Sequence, residues 1–322
     1  MIEQSTSPII IAEACQNHNG DLSILKEMIY AAKDAGADYI KIQSIFADDL
    51  TKRDRFENGI IEDGVIKTIK RPYKEEYDRL KPMDLGDDGH VIFIDECIKA
   101  GIKPLTTIFS YSKIEFLAAL GWENVKVASY DCASFPFLKE IKNHFQHLFI
   151  STGATTDQEI QEASSILKDH SYSFLHCVTI YPTPLNEMHL NRMIWLRRYA
   201  KTVGFSDHSL VKRDGLKASK VALYLGADII ERHFTILDSE KTKDGPVSIN
   251  PNQLKDLVEF SRLDKEKQKI YLDENISRFD LMLGSSKRSL SDVELINRDY
   301  YRGRFAFYNR NKYVYNWEEL DR

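Results

Sequence analysis

The stretch AAKDAGADYIKIQS, residues 31–44, decides how the rest of the chain is read. It joins the end of an amphipathic helix to a short apolar run across one tight turn. The helical pattern runs from about Leu22 to Ala35 and stops at Gly36, a residue favoured at helix C-caps because it takes positive φ without a Cβ clash. The run DYIKIQS follows at 38–44, and a similar run, PIIIAEA at 8–14, precedes the helix. Strand, helix and strand in that order read as two parallel strands joined by a crossover helix.

The same alternation continues along the chain after one interruption. A polar excursion from about Phe46 to Gly89 holds DRFENG, KRPYKEEYDRLKP and LGDDG. It reads as a solvated insertion, with KRPYKEEYDRLK as an exposed helix of paired charges; the alternative is a loop that covers an active site. Beyond it, apolar runs begin near residues 102, 124, 147, 172, 201 and 227, each followed by a helical pattern, the last at Pro251–Arg262. With the starts near 8 and 38 that makes eight units. Eight βα units predict an α/β fold of the closed (β/α)8 TIM-barrel type, with an open α/β sheet as the alternative. We therefore expect a barrel domain over 1–263 and a short C-terminal extension over 264–322, helical and then Tyr- and Arg-rich.

Bulk properties narrow the function classes. The net charge of −5 argues against a nucleic-acid binder, which needs a basic patch. No run of 18 apolar residues predicts a membrane span, and the N-terminus lacks a signal-peptide pattern. Cys15, Cys97, Cys132 and Cys177 are scattered, without CxxC or zinc spacing, as in a cytoplasmic protein with reduced thiols.

In a parallel barrel the catalytic groups sit at the C-terminal strand ends. Here those ends carry Glu13; Lys41 and Gln43; Thr106 and Thr107; Lys126, Ser129 and Asp131; Ser151 and Thr152; His176, with Thr179 and Tyr181 beyond; Ser206, Asp207 and His208; and Glu231, Arg232 and His233. Lys41 and Lys126 are embedded in apolar strands, where an unpaired ammonium is strongly unfavourable. Each needs a carboxylate, for instance Glu13, or a bound anion. Two such lysines beside Ser/Thr strand ends favour an anionic ligand. His208 and His233 end adjacent strands, about 4.8 Å apart, so both imidazoles can reach one metal ion. Asp207 could bind that ion or orient His208.

Seven blocks, IIIAEACQNHNGD, AAKDAGADYIKIQS, KVASYDCASFPFLK, ISTGAT, LHCVTIYPTP, VGFSDHS and GADIIERHFT, resemble those of the sialic acid synthase family, in the family's order over roughly residues 8–260. The resemblance implies a TIM barrel, phosphoenolpyruvate, N-acetylmannosamine or a related amino sugar, and a divalent ion, Mn2+ or alternatively Mg2+. It implies His208 and His233 as metal ligands. It implies Lys41, Thr107, Lys126, Ser129, Ser151 and Ser206 at the phosphoenolpyruvate site, with Thr179 where the family has Asn. Glu13, Lys41, Gln43, Asp131, Tyr181 and Asp244 are implied near the sugar and the reacting atoms, Asp131 standing where the family has Glu. The implied reaction is metal-assisted condensation to a nonulosonic acid and phosphate by C–O cleavage. The family's C-terminal antifreeze-like lid, which brings an Arg to a partner's site, is expected to be missing or replaced, since the chain stops soon after KRSLSDVELINRDYYRGRFAF. A homodimer is the assembly the family suggests. Rival readings are a synthase for a legionaminic- or pseudaminic-type sugar, a Schiff-base aldolase on Lys41 or Lys126, and a non-catalytic sugar- or partner-binding barrel.

Overall fold

Along each short apolar run every second side chain faces the same way, so a strand has an inner and an outer row. The computed structural model describes residues 7–320. Eight parallel strands close into a barrel: β1 Ile9–Cys15, β2 Tyr39–Ser44, β3 Lys103–Ile108, β4 Asn124–Val127, β5 His147–Ser151, β6 Tyr172–His176, β7 Thr202–Asp207 and β8 Ile229–His233. β8 pairs with β1, with Glu13 opposite His233, which completes the ring and excludes the open sheet.

The inner rows explain where the site lies. Ile11, Tyr39, Leu105, Phe149, Leu175 and Ile229 form one buried cluster that plugs the barrel. Two residues further along the same strands stand Glu13, Lys41, Thr107, Ser151, Cys177 and Glu231. The interior therefore turns from apolar to polar within one pleat. The outer rows stay apolar: Ile10, Ile40, Val125, Leu148, Phe174, Val203 and Ile230 pack in a larger cluster with helix residues such as Leu25, Met28 and Ile29. Burying each such side chain contributes about 1.5–3 kcal/mol. The outer jacket thus supplies most of the stability, and the upper inner row is free to carry polar groups.

The excursion at 46–89 is ordered. It holds a short helix Arg55–Asn58, a hairpin of Ile60–Glu62 with Val65–Thr68, and a helix Tyr73–Leu80. The C-terminal region contributes helices Lys265–Asn275 and Asp292–Tyr301 and a hairpin of Phe307–Asn309 with Lys312–Val314. The two regions meet over the C-terminal strand ends. Leu50 bridges Phe305, the Thr51 amide donates to the Arg304 carbonyl at 2.9 Å, and the Ala306 amide donates to the Asp49 carbonyl at 3.0 Å. Ile45, Ala47, Leu50, Leu80, Phe109 and Phe305 make a small core between them. The exposed-helix expectation holds for Lys74, Glu75 and Asp78 but fails for Glu76 and Leu80, which are buried. Those two lie four residues apart and share the helix face turned to the extension. Among the described residues, no helix is long and apolar enough to cross a membrane, and all four cysteines are free and buried.

Candidate functional site

The polar inner rows converge on a cavity of about 330 Å3 at the C-terminal mouth of the barrel. Glu13, Lys41, Gln43, Thr107, Lys126, Ser129, Ser151, Thr179, Tyr181, Ser206, His208, His233 and Asp244 all line it. Asp131 does not. The turn Ser129–Asp131 at the end of β4 brings Ser129 to the cavity and leaves Asp131 buried behind it. There Ser134 Oγ donates to its carboxylate at 2.9 Å and Asn316 Nδ2 at 3.0 Å. Burial pushes the Asp131 carboxyl up to about 6, against those two hydrogen bonds and the charge of Arg302.

The cavity floor is an ion-pair cluster. Lys126 Nζ donates to both carboxylate oxygens of Glu231 at 2.8 Å, and Ser206 Oγ donates to the same carboxylate at 2.7 Å. Lys41 Nζ donates to Thr107 Oγ1 at 3.0 Å, contacts Glu13, and lies 3.7 Å from Glu231. The ion pair of Lys41 with Glu13, the alternative to a bound anion, is present, and Glu231 is a second acid that links the two lysines. Burial acts to raise the Glu231 pKa, but the charges of Lys126 and Lys41 and the bonds from Lys126 and Ser206 hold it well below the usual carboxylate range. Burial pulls the Lys41 ammonium down to about 7, with Glu231 opposing and Lys126 adding to the fall. Two lysines face two glutamates, so an incoming phosphate and carboxylate need further positive charge nearby.

Beside the floor stand His208 and His233, ring centroids 5.2 Å apart. Both are buried, and the Nδ1 of each lacks a hydrogen-bond partner among the described residues. Burial lowers both pKa values, against the opposing charge of Asp244 on His233 and of Glu231 on each ring, so both rings are neutral lone-pair donors. Asp207 neither reaches the cavity nor orients His208. It lies on the outer row, paired with Arg232 and accepting from Ser219 Oγ at 2.6 Å and the Ser209 amide at 2.8 Å.

Cys15, His233 and Asp244 place one donor atom each within 4.8 Å of one another. Cys15 Sγ donates to Asp244 at 2.9 Å, and burial together with that carboxylate raises the thiol's pKa well above its ordinary value. The Asp244 loop is pinned from both sides. Ser248 Oγ donates to the Asp244 carbonyl at 2.7 Å, and Asn17 Nδ2 donates to Ser248 Oγ and to the Phe234 carbonyl, both at 2.9 Å. A Cβ on Gly245 would lie 1.9 Å from the Ser239 carbonyl oxygen, so only glycine closes this turn. These donors, two neutral imidazoles with unpartnered nitrogens beside a carboxylate and a thiol, fit a divalent transition-metal ion.

The outer half of the cavity comes from segments that strand periodicity does not flag. Arg71 and Arg79 arrive from the insertion, Lys243 from the loop after β8, and Tyr301 and Arg304 from the extension. Arg79 donates to Glu76 at 2.8 and 3.1 Å, and Arg304 donates to the same carboxylate. Burial tends to raise Glu76, but the Arg79 hydrogen bonds and the charges of Arg304, Arg79 and Lys243 bring it to about 2. Withdrawal of its ammonium from solvent, then Arg79, Arg304 and Arg71, takes Lys243 down to about 8 against the pull of Glu76. The insertion thus contributes to the site, and an Arg from the chain's own extension reaches the cavity. The sequence signal was the dense Arg and aromatic content of RDYYRGRFAF.

The NeuB family matches residues 28–269. The N,N'-diacetyllegionaminic acid synthase of Legionella pneumophila is 32% identical over 300 residues, covering 90% of this chain and 77% of that protein. The N-acetylneuraminate-9-phosphate synthase of Drosophila melanogaster is 32% identical over 257 residues, 78% of this chain and 66% of that protein. The crystal structure of N-acetylneuraminic acid synthetase from Leptospira borgpetersenii, in complex with citrate, superposes with a TM-score of 0.69 at 27% identity, over 85% of this chain and 93% of that one. The chain belongs to the NeuB family, enzymes that condense phosphoenolpyruvate with a sugar.

Proposed function

We propose that this chain condenses phosphoenolpyruvate with the open-chain form of an N-acetylmannosamine-like amino sugar, giving a nonulosonic acid and phosphate in the cytoplasm. The observation that carries the reading is one cavity holding two strand lysines, a set of hydroxyls and two unpartnered neutral imidazoles. Four free buried thiols suit a reducing compartment.

Lys126, Lys41, Thr107, Ser129, Ser151, Thr179 and Ser206 hold the phosphate and carboxylate of phosphoenolpyruvate. His208 and His233 would hold the divalent ion, Mn2+ or Mg2+ by family resemblance. When bound, that ion supplies Lewis-acid polarisation of the sugar aldehyde and part of the positive charge that the matched floor lacks. C3 of phosphoenolpyruvate attacks the aldehyde carbon and forms the new C–C bond. Water adds at C2, the C2–O bond breaks, and phosphate departs with the bridging oxygen. Glu13, against Lys41 on the floor, is placed to relay the water's proton. Gln43, Tyr181 and Asp244 face the acceptor side. Asp131, turned toward Ser134 and Asn316, supports the β4 end in this reading and does not transfer protons. Fixing both substrates in one cavity supplies a large share of the acceleration.

A second reading of the acceptor is favoured by the mouth. Arg79, Lys243 and Arg304 act on Glu76 and Arg71 stands near Lys243, four cations against Glu76 and Asp244. That excess suits an acceptor carrying an anionic group, such as a sugar phosphate, better than a neutral legionaminic- or pseudaminic-type precursor. A phosphate-release assay over neutral and phosphorylated amino sugars separates the three. Saturable phosphoenolpyruvate binding without turnover on any of them would leave only a sugar-binding barrel. Borohydride with pyruvate should leave Lys41 and Lys126 unlabelled, since Lys126 is committed to Glu231 by two bonds. Labelling of either would establish a Schiff-base aldolase.

A further inference from the structure

Two imidazoles do not exhaust the donors in this cavity. We infer that Cys15 binds the ion as a thiolate, alongside Asp244 and His233, which makes the site softer than one built of nitrogen and oxygen alone. The inference rests on the metal-assisted reading above.

The backbone aims this side chain. β1 pairs Glu13 with Lys41 but Cys15 with Ile42, so the register slips by one residue between them. A bulge of this kind bends a strand and re-aims the following side chain. Cys15 then takes φ +51°, in the left-handed region, which is strained for a residue with a Cβ and relaxed for glycine. Glycine would relieve that strain but could not supply sulfur. The thiol is also not filling an apolar gap, because it bonds to the Asp244 carboxylate at 2.9 Å.

The neighbouring donors point to the same occupant. His233 is 9% exposed, and its Nδ1 has no partner among the described residues. Metal–donor lengths of about 2.0–2.3 Å put donors sharing one ion no more than about 4.6 Å apart. Sγ, a His233 nitrogen and an Asp244 oxygen already lie within 4.8 Å of one another, so shifts on the order of an ångström bring all three onto one ion. Balance is simple: the ion enters, the S–H bond breaks, one proton leaves to solvent, and the hydrogen bond to Asp244 is replaced by two metal bonds.

The test uses the full chain loaded with Co2+. The wild type should show a sulfur-to-cobalt charge-transfer band in the near ultraviolet. Cys15→Ser should lose that band while keeping the visible cobalt bands. Cys177 also lines the cavity, so Cys177→Ser is the control and should keep the band. Cys15→Ser should also weaken Cd2+ binding by at least about tenfold to a hundredfold, the range found even for outer-shell partners, with a smaller change for Mn2+. Should Cys15→Ser fail to fold, a variant with Cys97, Cys132 and Cys177 all changed to Ser keeps Cys15 alone and must retain the band. Cobalt binding without a charge-transfer band, or a band lost in Cys177→Ser and kept in Cys15→Ser, overturns the cysteine ligand and leaves the imidazole reading intact. Absence of any cobalt binding by calorimetry overturns both.

Discussion

The floor and the mouth of the cavity are built on opposite plans. At the floor, Lys41, Lys126, Glu13 and Glu231 project from hydrogen-bonded strands, and two cations meet two anions. Their positions follow from the barrel's register. At the mouth, Arg71, Arg79, Lys243 and Arg304 arrive from an insertion, a loop and a C-terminal extension, and Arg79, Lys243 and Arg304 share the Glu76 carboxylate. The floor is close to neutral and held on hydrogen-bonded strands, which on the proposed function suits one fixed substrate with an ion beside it. The mouth is cationic and assembled from segments that vary easily, as suits the choice of acceptor. On the proposed function, chemistry and specificity should therefore separate by mutation.

The largest effect should come from the floor. Lys126→Met leaves the buried Glu231 without its two-bond partner, so we expect a loss of about 3 kcal/mol in urea unfolding, together with loss of turnover. Adding Glu231→Gln should restore most of the stability and none of the turnover. An unchanged unfolding midpoint in the single variant would mean that the floor is not the balanced cluster described here.

Asp131 ties the two regions together, since it ends the β4 turn and accepts from Asn316 of the extension. Its folded pKa of about 6 lies above the ordinary 3.8, so the folded state favours the protonated carboxyl. The stability it contributes is full below about pH 4 and is lost as pH rises to about 6, on the order of 2–3 kcal/mol. Asp131→Asn should flatten that window and be more stable than wild type at pH 7. A wild type that gains stability relative to Asp131→Asn between pH 4 and pH 6 would contradict this.

Smaller still is the mouth. Arg304→Ala should raise the acceptor KM by about tenfold or more, about 1.4 kcal/mol or above, and change the phosphoenolpyruvate KM by less than about twofold. Equal rises in both constants would erase the distinction between floor and mouth. Lys74→Ala, which breaks an exposed pair with Asp78 on the helix that carries Glu76, should alter neither constant nor the unfolding midpoint.

This contrast also explains what could be read from the chain. Strand residues repeat with period two and sit on a ladder with one register, so a Lys in YIKIQ and a His after VGFSD have definite addresses. The same rule separates His208, which faces the cavity, from Asp207, which faces Arg232 on the outer row. Asp131 stands at a strand end, where the resemblance implies a site residue, but a single helical turn rotates it away. Cys15 was read only as a scattered thiol, and its address depends on a bulge that no periodicity announces. Arg79 and Arg304 meet at Glu76 across 228 residues of sequence separating that acid from Arg304, a contact without local signature.

The measurement that bears most directly on the central claim is the fate of 18O placed in the bridging oxygen of phosphoenolpyruvate. If C3 attacks the aldehyde and water then enters at C2, the label leaves entirely with inorganic phosphate. Label recovered in the keto-acid product would mean that the P–O bond breaks instead, and the chemistry assigned to this cavity would be wrong.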